Sequence, residues 1–373
     1  MRNLLLSLAL MASLLPLAAQ TKLEPWQDPN VFEENRMPMR ATFVTAQQQT
    51  LSLNGLWKFC FNPTVEDRLK GFEAVGYDDS VWDEIPVPGL WDLNGYCDPM
   101  YVNIGYPWNG HYKNNPPYPA LEHNYVGQYR RTFTIDPSWI GKQICLNIGS
   151  ATSNVRVWVN GKMVGYSEDS KLEARFDLTK YVHAGENLIA LEIFRWCDGT
   201  YLEDQDFWRF AGIARGVEIY TREKERIEDV HVTGWADGRL KVHIELTKGI
   251  TAVTLNVLDG RDSSLALAID GIKPKKGVID IDEEIFEPAL WSAETPNLYA
   301  LRVLAYTKNG MAECTEIPFG FRTVEVKGNQ LITRVEHLVE VVHAVDFVTV
   351  HVVQEVLLIV NRMSLEQIGR AHV

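Results

Sequence analysis

The chain has 373 residues, 46% of them hydrophobic and 23% charged, a globular mix long enough for two or three domains of about 150 residues each. That length and mix exclude a disulfide mini-protein, a collagen-like repeat and disorder as the main state. Lys plus Arg total 36 against 49 Asp plus Glu, a formal net charge of −13 with no basic block, so no nucleic acid is expected as a partner.

At the amino terminus, Met1-Arg2-Asn3 places one positive charge before an apolar run from Leu4 to Leu15, and Pro16-Leu17-Ala18-Ala19 follows. The run is too short to span a bilayer comfortably and ends in small residues, which is the pattern of a secretory signal peptide cleaved after Ala19. No other segment has about 18 consecutive apolar residues. The expected mature protein is therefore exported, periplasmic or extracellular, with no membrane association after cleavage. Cys60, Cys97, Cys145, Cys197 and Cys314 are widely spaced without a C-x-x-C pair, and read as packed thiols with one disulfide at most.

Short strand-like runs then recur from Leu53 to about Arg222: Gln128 to Ile135, Gln143 to Ile148, Val155 to Val159, Asn187 to Trp196 and Val217 to Thr221. Little in this stretch keeps a helical period. Alternating apolar residues on both sides of Asn160-Gly161 predict a tight hairpin. Residues 20–222 are accordingly expected to form a jelly-roll sandwich with long functional loops. A second set runs Ile227 to Val232, Leu240 to Leu246, Ala252 to Leu258, Leu265 to Ala268, Val278 to Ile281, Asn297 to Tyr306 and Ala312 to Ile317. Seven short strands predict an immunoglobulin-like sandwich over residues 223–323, without the Cys…Trp…Cys core of antibody domains. The charged stretch Arg222 to Arg226 is the expected join. The fold class is all-β.

The chemistry-bearing stretch is Arg195 to Arg209. Here Asp198, Glu203, Asp204 and Asp206 interleave with Trp196, Tyr201, Phe207 and Trp208 directly after a strand. Carboxylates accept hydrogen bonds from sugar hydroxyls, hard oxygens hold Na⁺, Mg²⁺ or Ca²⁺, and rings pack on the apolar faces of pyranoses. A solvated acidic loop over a Trp-rich core has the same composition. A second loop, Asn94 to Gly110 continuing through Pro116-Pro117-Tyr118-Pro119, is rich in Pro, Gly and aromatics, the composition of a functional loop on a β scaffold. Phosphate-loop, nucleophile-elbow and H-E-x-x-H motifs are absent from the sequence, and no acidic pair marks itself as the acid and nucleophile of glycoside cleavage.

The far end differs. Residues 335–360 are Val-rich with His337, His343 and His351 interspersed and no Gly or Pro. The histidine spacings do not fit helical metal ligation. Ile368 to Val373 back-translates to a common sequencing-adapter sequence, so residues 332–373 are expected to be a frameshift or adapter artefact with no stable fold.

With these residues in view, the chain resembles the amino-terminal portion of a β-galactosidase of glycoside hydrolase family 2, over about Trp26 to Gln330. The stretch Arg195 to Ile213, with Y-L-E-D-Q-D-F-W-R-F-A-G-I at its end, carries most of the resemblance. Leu53 to Phe59, Tyr101-Val102-Asn103, Val159-Asn160-Gly161, Leu290 to Tyr299 and Gly320-Phe321-Arg322 support it. The resemblance implies a jelly-roll sugar-binding domain, an immunoglobulin-like domain, and then a (β/α)₈ barrel holding the catalytic glutamates. Asn103 and Asp206 would contact galactose hydroxyls, Asp206 would ligate Na⁺, and Asp198 matches a peripheral divalent site for Mg²⁺ or Ca²⁺. Glu168 stands where some relatives have an amide at that site. Also implied are β-galactoside partners, a homo-oligomeric full-length enzyme and no organic cofactor.

Residues 324–331 begin the lead-in to the barrel, but relatives continue after Leu331 into a strand and an Asn-Arg-His-Glu-His segment that this sequence lacks. Both glutamates of a retaining glycosidase are thus missing, and the chain as written is expected to be inactive. A β-glucuronidase or β-mannosidase of the same family shares the domain order, although E-D-Q-D-F-W favours a galactosidase. A non-catalytic carbohydrate-binding protein is the rival of a different class.

Overall fold

The computed structural model describes residues 23–41, 43–103, 105, 115–203, 206–335 and 338–343. The expected signal peptide and residues 344–373 lie outside them. The chain divides into two units, the first made of residues up to 39, 51–140 and 145–219, the second of 40–50, 141–144 and 220 onward. Among the described residues no helix is long and apolar enough to cross a membrane, and all five cysteines are free thiols.

The first unit is built on a seven-stranded sheet. Its order is Glu33–Glu34, Lys162–Ser167, Val155–Val159, Gly185–Phe194, Val126–Ile135, Gly55–Asn62 and Asp83–Val87. A second sheet runs Ala174–Asp177, Gln143–Ile148, Val217–Arg222 and Thr50–Ser52. Two stacked antiparallel sheets are the sandwich expected from the strand spacing. The Asn160-Gly161 hairpin is present, with positive φ at both residues (50° and 77°), as the twist-matched two-residue turn requires.

Strict alternation is lost in the central strands, where eight consecutive residues from Asn187 to Phe194 are buried. The cause is a covering segment. Gln128 exchanges hydrogen bonds with the Leu69 backbone (2.9 and 3.1 Å) and donates to Glu192 at 2.9 Å. Arg130 donates to the Ala74 carbonyl at 2.9 Å and pairs with Asp79 at 2.7 Å. These polar side chains fasten residues 63–82 over the outer face, and Phe72 and Trp82 then pack with Ala190 and Trp158 there. Gly127 lets the layers approach: a Cβ at that position would lie 2.3 Å from Trp91 and 2.9 Å from Phe59.

The second unit is a sandwich of a three-stranded sheet, Ile227–Gly234, Arg239–Leu246 and Val278–Glu284, and a four-stranded one. The latter is ordered Leu265–Ile272, Ala252–Asp259, Tyr299–Thr307 and Gly310–Phe319. All seven expected strands are present. Alternate residues of Ala252–Asp259 are buried, so one face of that strand fills the core. Val242, Ile244, Val253, Leu255, Val257, Leu301 and Val303 fill it, closed by Phe321 edge-on to Tyr299 at 5.0 Å.

Residues 40–50 belong to this unit, which their position in the sequence does not announce. Thr45 bridges Thr315 and donates to Glu313 at 3.0 Å, and the Ala46 amide donates to the Cys314 carbonyl at 2.9 Å. The amino-terminal arm therefore adds its backbone beside Gly310–Phe319 before the chain returns to the first unit.

Past the join, Thr323–Lys327, Gln330–Val335 and Leu338–His343 form a three-stranded antiparallel sheet. No fold is expected from the sequence after Leu331, yet strands continue to His343. The physical reason is local: β-branched residues such as Val339, Val341 and Val342 favour extended backbone and pair with the strand that the turn at Gly328 has just delivered.

Candidate functional site

The strand Gly185–Phe194 feeds directly into the acidic, aromatic run, and the structure divides that run into buried and exposed halves. Asp198 and Trp196 are buried, and Glu203 turns inward from the short helix Thr200–Glu203 to accept from the Ser170 amide at 3.0 Å and from its hydroxyl. Asp206 alone of the described carboxylates in the run is exposed, while Asp204 lies outside the described residues. The three described carboxylates of the run thus point in different directions: side chains following a tight turn do not share one face, and Glu203 and Asp198 are directed inward.

The strand Phe207–Trp208 pairs antiparallel with Tyr101–Val102, Phe207 opposite Val102 and Trp208 opposite Tyr101. One step further along the same register stand Asp206 and Asn103, both exposed. The two residues expected to bind sugar, 103 positions apart in sequence, are therefore brought face to face by a two-stranded ribbon. The Tyr101 hydroxyl donates to Asp206 Oδ1, and Tyr101 meets Trp208 ring edge to face at 5.6 Å. Tyr101 and Trp208 are 52% and 50% exposed, so the ribbon offers two rings, an amide and a carboxylate to solvent. The only advance signal for Tyr101 is its i, i+2 relation to Asn103, which puts both on one strand face.

Behind the ribbon, Arg195 is 3% exposed. It donates to Asp92 Oδ1 at 3.0 Å, to Cys97 Sγ at 3.0 Å and to the Arg209 carbonyl at 3.3 Å. Asp92 Oδ2 accepts from the Ala211 amide at 2.9 Å. One buried ion pair so ties the 92–97 loop to the 195–211 run, the two segments that carry the ribbon. Burial pushes the Cys97 thiol up to about 12, against the lowering effect of Arg195, so this sulfur stays protonated and is a poor nucleophile. Sequence reasoning gave no sign of this pair. A cavity of about 40 Å³ lined by Arg195, Glu203, Trp208 and Arg209 lies alongside, far below the several hundred Å³ of a ligand site. Within the described residues of this unit nothing encloses a sugar.

Asp198, expected at a peripheral divalent site, sits beside Glu168. Gly199 makes the approach feasible, since a Cβ there would stand 2.6 Å from Glu168 Oε2. Tyr166 donates to Glu168 Oε1 at 2.7 Å, and Asp198 Oδ1 is a buried oxygen with no hydrogen-bond partner. Burial raises both carboxyls, Glu168 to about 8 with the adjacent Asp198 adding to the rise. Two buried carboxyls and an unpartnered oxygen fit a cation, although among the described residues no group of three acidic, His or Cys side chains converges to hold one.

Without a cation the pair makes stability fall with rising pH. A carboxyl near 4.5 when unfolded and near 8 when folded binds more protons in the native state between those values, so unfolding releases protons there. In chelator, the denaturant midpoint of the first unit is expected to fall from pH 5 to pH 8 and level off above. Glu168→Gln, which removes one of the two charges, is expected to flatten that slope, and an unchanged slope would refute the pairing.

Residues 50–223 match the family model "Glycosyl hydrolases family 2, sugar binding domain", and residues 225–322 match "Glycosyl hydrolases family 2". A β-galactosidase of Priestia megaterium is 36% identical over 334 residues, covering 82% of this chain and 32% of the relative. One from Vibrio vulnificus (strain YJ016) is 38% identical over 306 residues, covering 77% and 29%. Among solved structures, Bifidobacterium dentium β-glucuronidase complexed with coumarin-3-O-glucuronide matches with a TM-score of 0.60 at 19% identity, covering 80% of this chain and 52% of that one. The chain spans about a third of the length of the curated relatives it matches. Two successive family models, sequence identity of this level and the paired β-sandwiches agree: the chain belongs to glycosyl hydrolase family 2 and corresponds to the amino-terminal part of its β-galactosidases.

Proposed function

We propose that this chain is the sugar-binding and immunoglobulin-like portion of an exported β-galactosidase, an enzyme that hydrolyses terminal β-galactosides with retention once joined to a catalytic barrel. The observation that carries the reading is the ribbon that sets Asn103 opposite Asp206 with Tyr101 bonded to the latter. An amide and a carboxylate side by side accept and donate to neighbouring sugar hydroxyls, and the flanking rings suit the apolar face of a galactosyl ring. With one oxygen held by Tyr101, the other oxygen of Asp206 remains as a hard donor for Na⁺, the remaining ligands coming from elsewhere. Asp198 and Glu168 are the residues that would hold a peripheral Mg²⁺ or Ca²⁺, which there supplies charge compensation for two buried carboxyls.

Neither glutamate of the retaining pair is assigned in this chain, so its 373 residues alone are inactive and bind galactose weakly, with half a pocket. Residues 332–373 are read as artefact and residues 1–19 as a signal peptide; the complete enzyme is read as a homo-oligomer. The galactosidase reading is preferred to a glucuronidase because the relatives at 36–38% identity are β-galactosidases, whereas the glucuronidase structures share the fold at 19–20% identity.

The test is a long sequencing read through the locus from upstream of the Gly320 codon, followed by expression of the whole frame and assay on nitrophenyl β-galactoside, β-glucuronide and β-mannoside. Turnover of the galactoside is expected. A genuine stop soon after Leu331, with tight stoichiometric galactose binding by the chain alone, would replace this reading with a non-catalytic sugar-binding protein.

A further inference from the structure

In the second unit's three-stranded sheet, Val230, Val242, Ile244 and Ile279 fill the core, which leaves the alternate residues on the opposite face. Register aligns His231 with His243 and His243 with Asp280, one row across three strands set about 4.8 Å apart. The row lines a groove of about 430 Å³ together with Thr233, Trp235 and Asp282. His243 Nδ1 lies 2.7 Å from Asp280 Oδ1; a carboxylate in that position keeps the proton on Nδ1 and leaves the Nε2 lone pair as the free donor. His243 Nε2 lies 3.9 Å from Glu245 Oε1. That is too long for a hydrogen bond, and two ligands sharing one tetrahedral ion through bonds of about 2.0–2.2 Å stand about 3.4 Å apart, so this pair needs to close by only about half an ångström to share one. The other oxygen of Glu245 accepts from Arg40 at 2.7 Å, so Oε1 is the oxygen left over.

We propose that His243 Nε2, Glu245 Oε1 and His231 form a binding site for a divalent transition metal ion, zinc foremost, with Asp280 orienting His243 from behind and water completing the shell. No three such donors already meet at one point among the described residues, so the site closes on the ion. Closure is cheap in structural terms: His231 is exposed, stands directly opposite His243, and holds only a long 3.4 Å contact from Nε2 to Thr233. The surrounding charge favours a cation, with Asp229, Glu245, Asp280 and Asp282 against Arg40 and Lys241. Imidazole nitrogen with carboxylate oxygen selects zinc, copper or nickel over calcium or magnesium. The site shares no residue with the sugar-binding ribbon, so it stands or falls independently of the galactosidase reading.

The experiment is calorimetric titration of the whole chain with zinc chloride, repeated with cobalt to read coordination from its visible absorption. One ion per chain with micromolar affinity is expected. His243→Ala should abolish it, and Asp280→Asn should weaken it about tenfold or more, as loss of an orienting carboxylate does. His183→Ala, on the first unit, should leave it unchanged. His183 and Asp280 are exposed and His243 is half-buried, and circular dichroism checks that each of the three variants folds. An isotherm that His243→Ala leaves intact, or absence of binding at millimolar zinc, would overturn the proposal.

Discussion

Arg195→Ala is expected to lower the unfolding free energy of the first unit by about 3–5 kcal/mol, the range for breaking a buried ion pair from one side. Asp92 has no exposed side-chain surface and Arg195 only 3%, so the truncated variant leaves a carboxylate in the interior with neutral partners, the Ala211 amide and the Cys97 thiol. The loss is larger than that of a surface pair, which is worth about 0–1 kcal/mol, because water cannot reach the orphaned charge. Four further contacts go with the side chain: those to Cys97 and the Arg209 carbonyl, and its stacking on the Tyr125 and Trp196 rings at 5.3 and 5.0 Å. Asp92→Ala should cost a comparable amount by orphaning the guanidinium. The double variant should cost less than the sum, since each single change already removes the shared interaction. Guanidinium denaturation followed by Trp fluorescence reads all four. Strict additivity would show that the pair is not coupled and that Arg195 acts only through packing.

The strands were legible because their signals are local. Ala252 to Leu258 alternates, Asn160-Gly161 forces a turn, and both appear as expected. What escaped the sequence depends on partners far along the chain. Nothing in residues 40–50 marks them as part of the second unit, because the groups that hold Thr45 and Ala46 are Glu313 and Cys314, some 270 positions away. The same holds for Arg195 with Asp92. His231 and His243 are twelve apart in sequence and become neighbours only through the register of two strands.

For the site, residue types were readable and directions were not. Asp198, Glu203 and Asp206 look alike in sequence, yet they meet a second carboxyl, a serine and a tyrosine hydroxyl at the exposed surface respectively. Composition identified a polar, aromatic surface suited to sugar. The resemblance singled out Asp206 among them, and the pairing of Tyr101–Val102 with Phe207–Trp208 shows the ribbon that presents it beside Asn103.

In the complete enzyme, Asp206→Ala is expected to cut kcat/KM for a β-galactoside by about 10²–10³-fold, the scale of removing one preorganised polar group from a transition state, and to abolish activation by Na⁺. The charge and the hydroxyl acceptor leave together. The ribbon itself should survive, because Phe207 and Trp208 are held through backbone pairing with Val102 and Tyr101 and Asp206 is exposed. Asp206→Asn keeps the shape and one acceptor oxygen but loses the charge, so it should recover part of the sugar affinity and none of the Na⁺ response. Tyr101→Phe removes only the hydroxyl that bonds Asp206; a hydrogen bond to a charged group is worth about 1.5–3 kcal/mol, and part of that should appear as a weaker Na⁺ constant with kcat little changed. This graded order separates a ligand role from a folding role, since a collapsed ribbon would lower all three variants alike. Kinetics measured across a Na⁺ series decide it: an Asp206→Ala enzyme that still responds to Na⁺ as the parent does would remove Asp206 from the site.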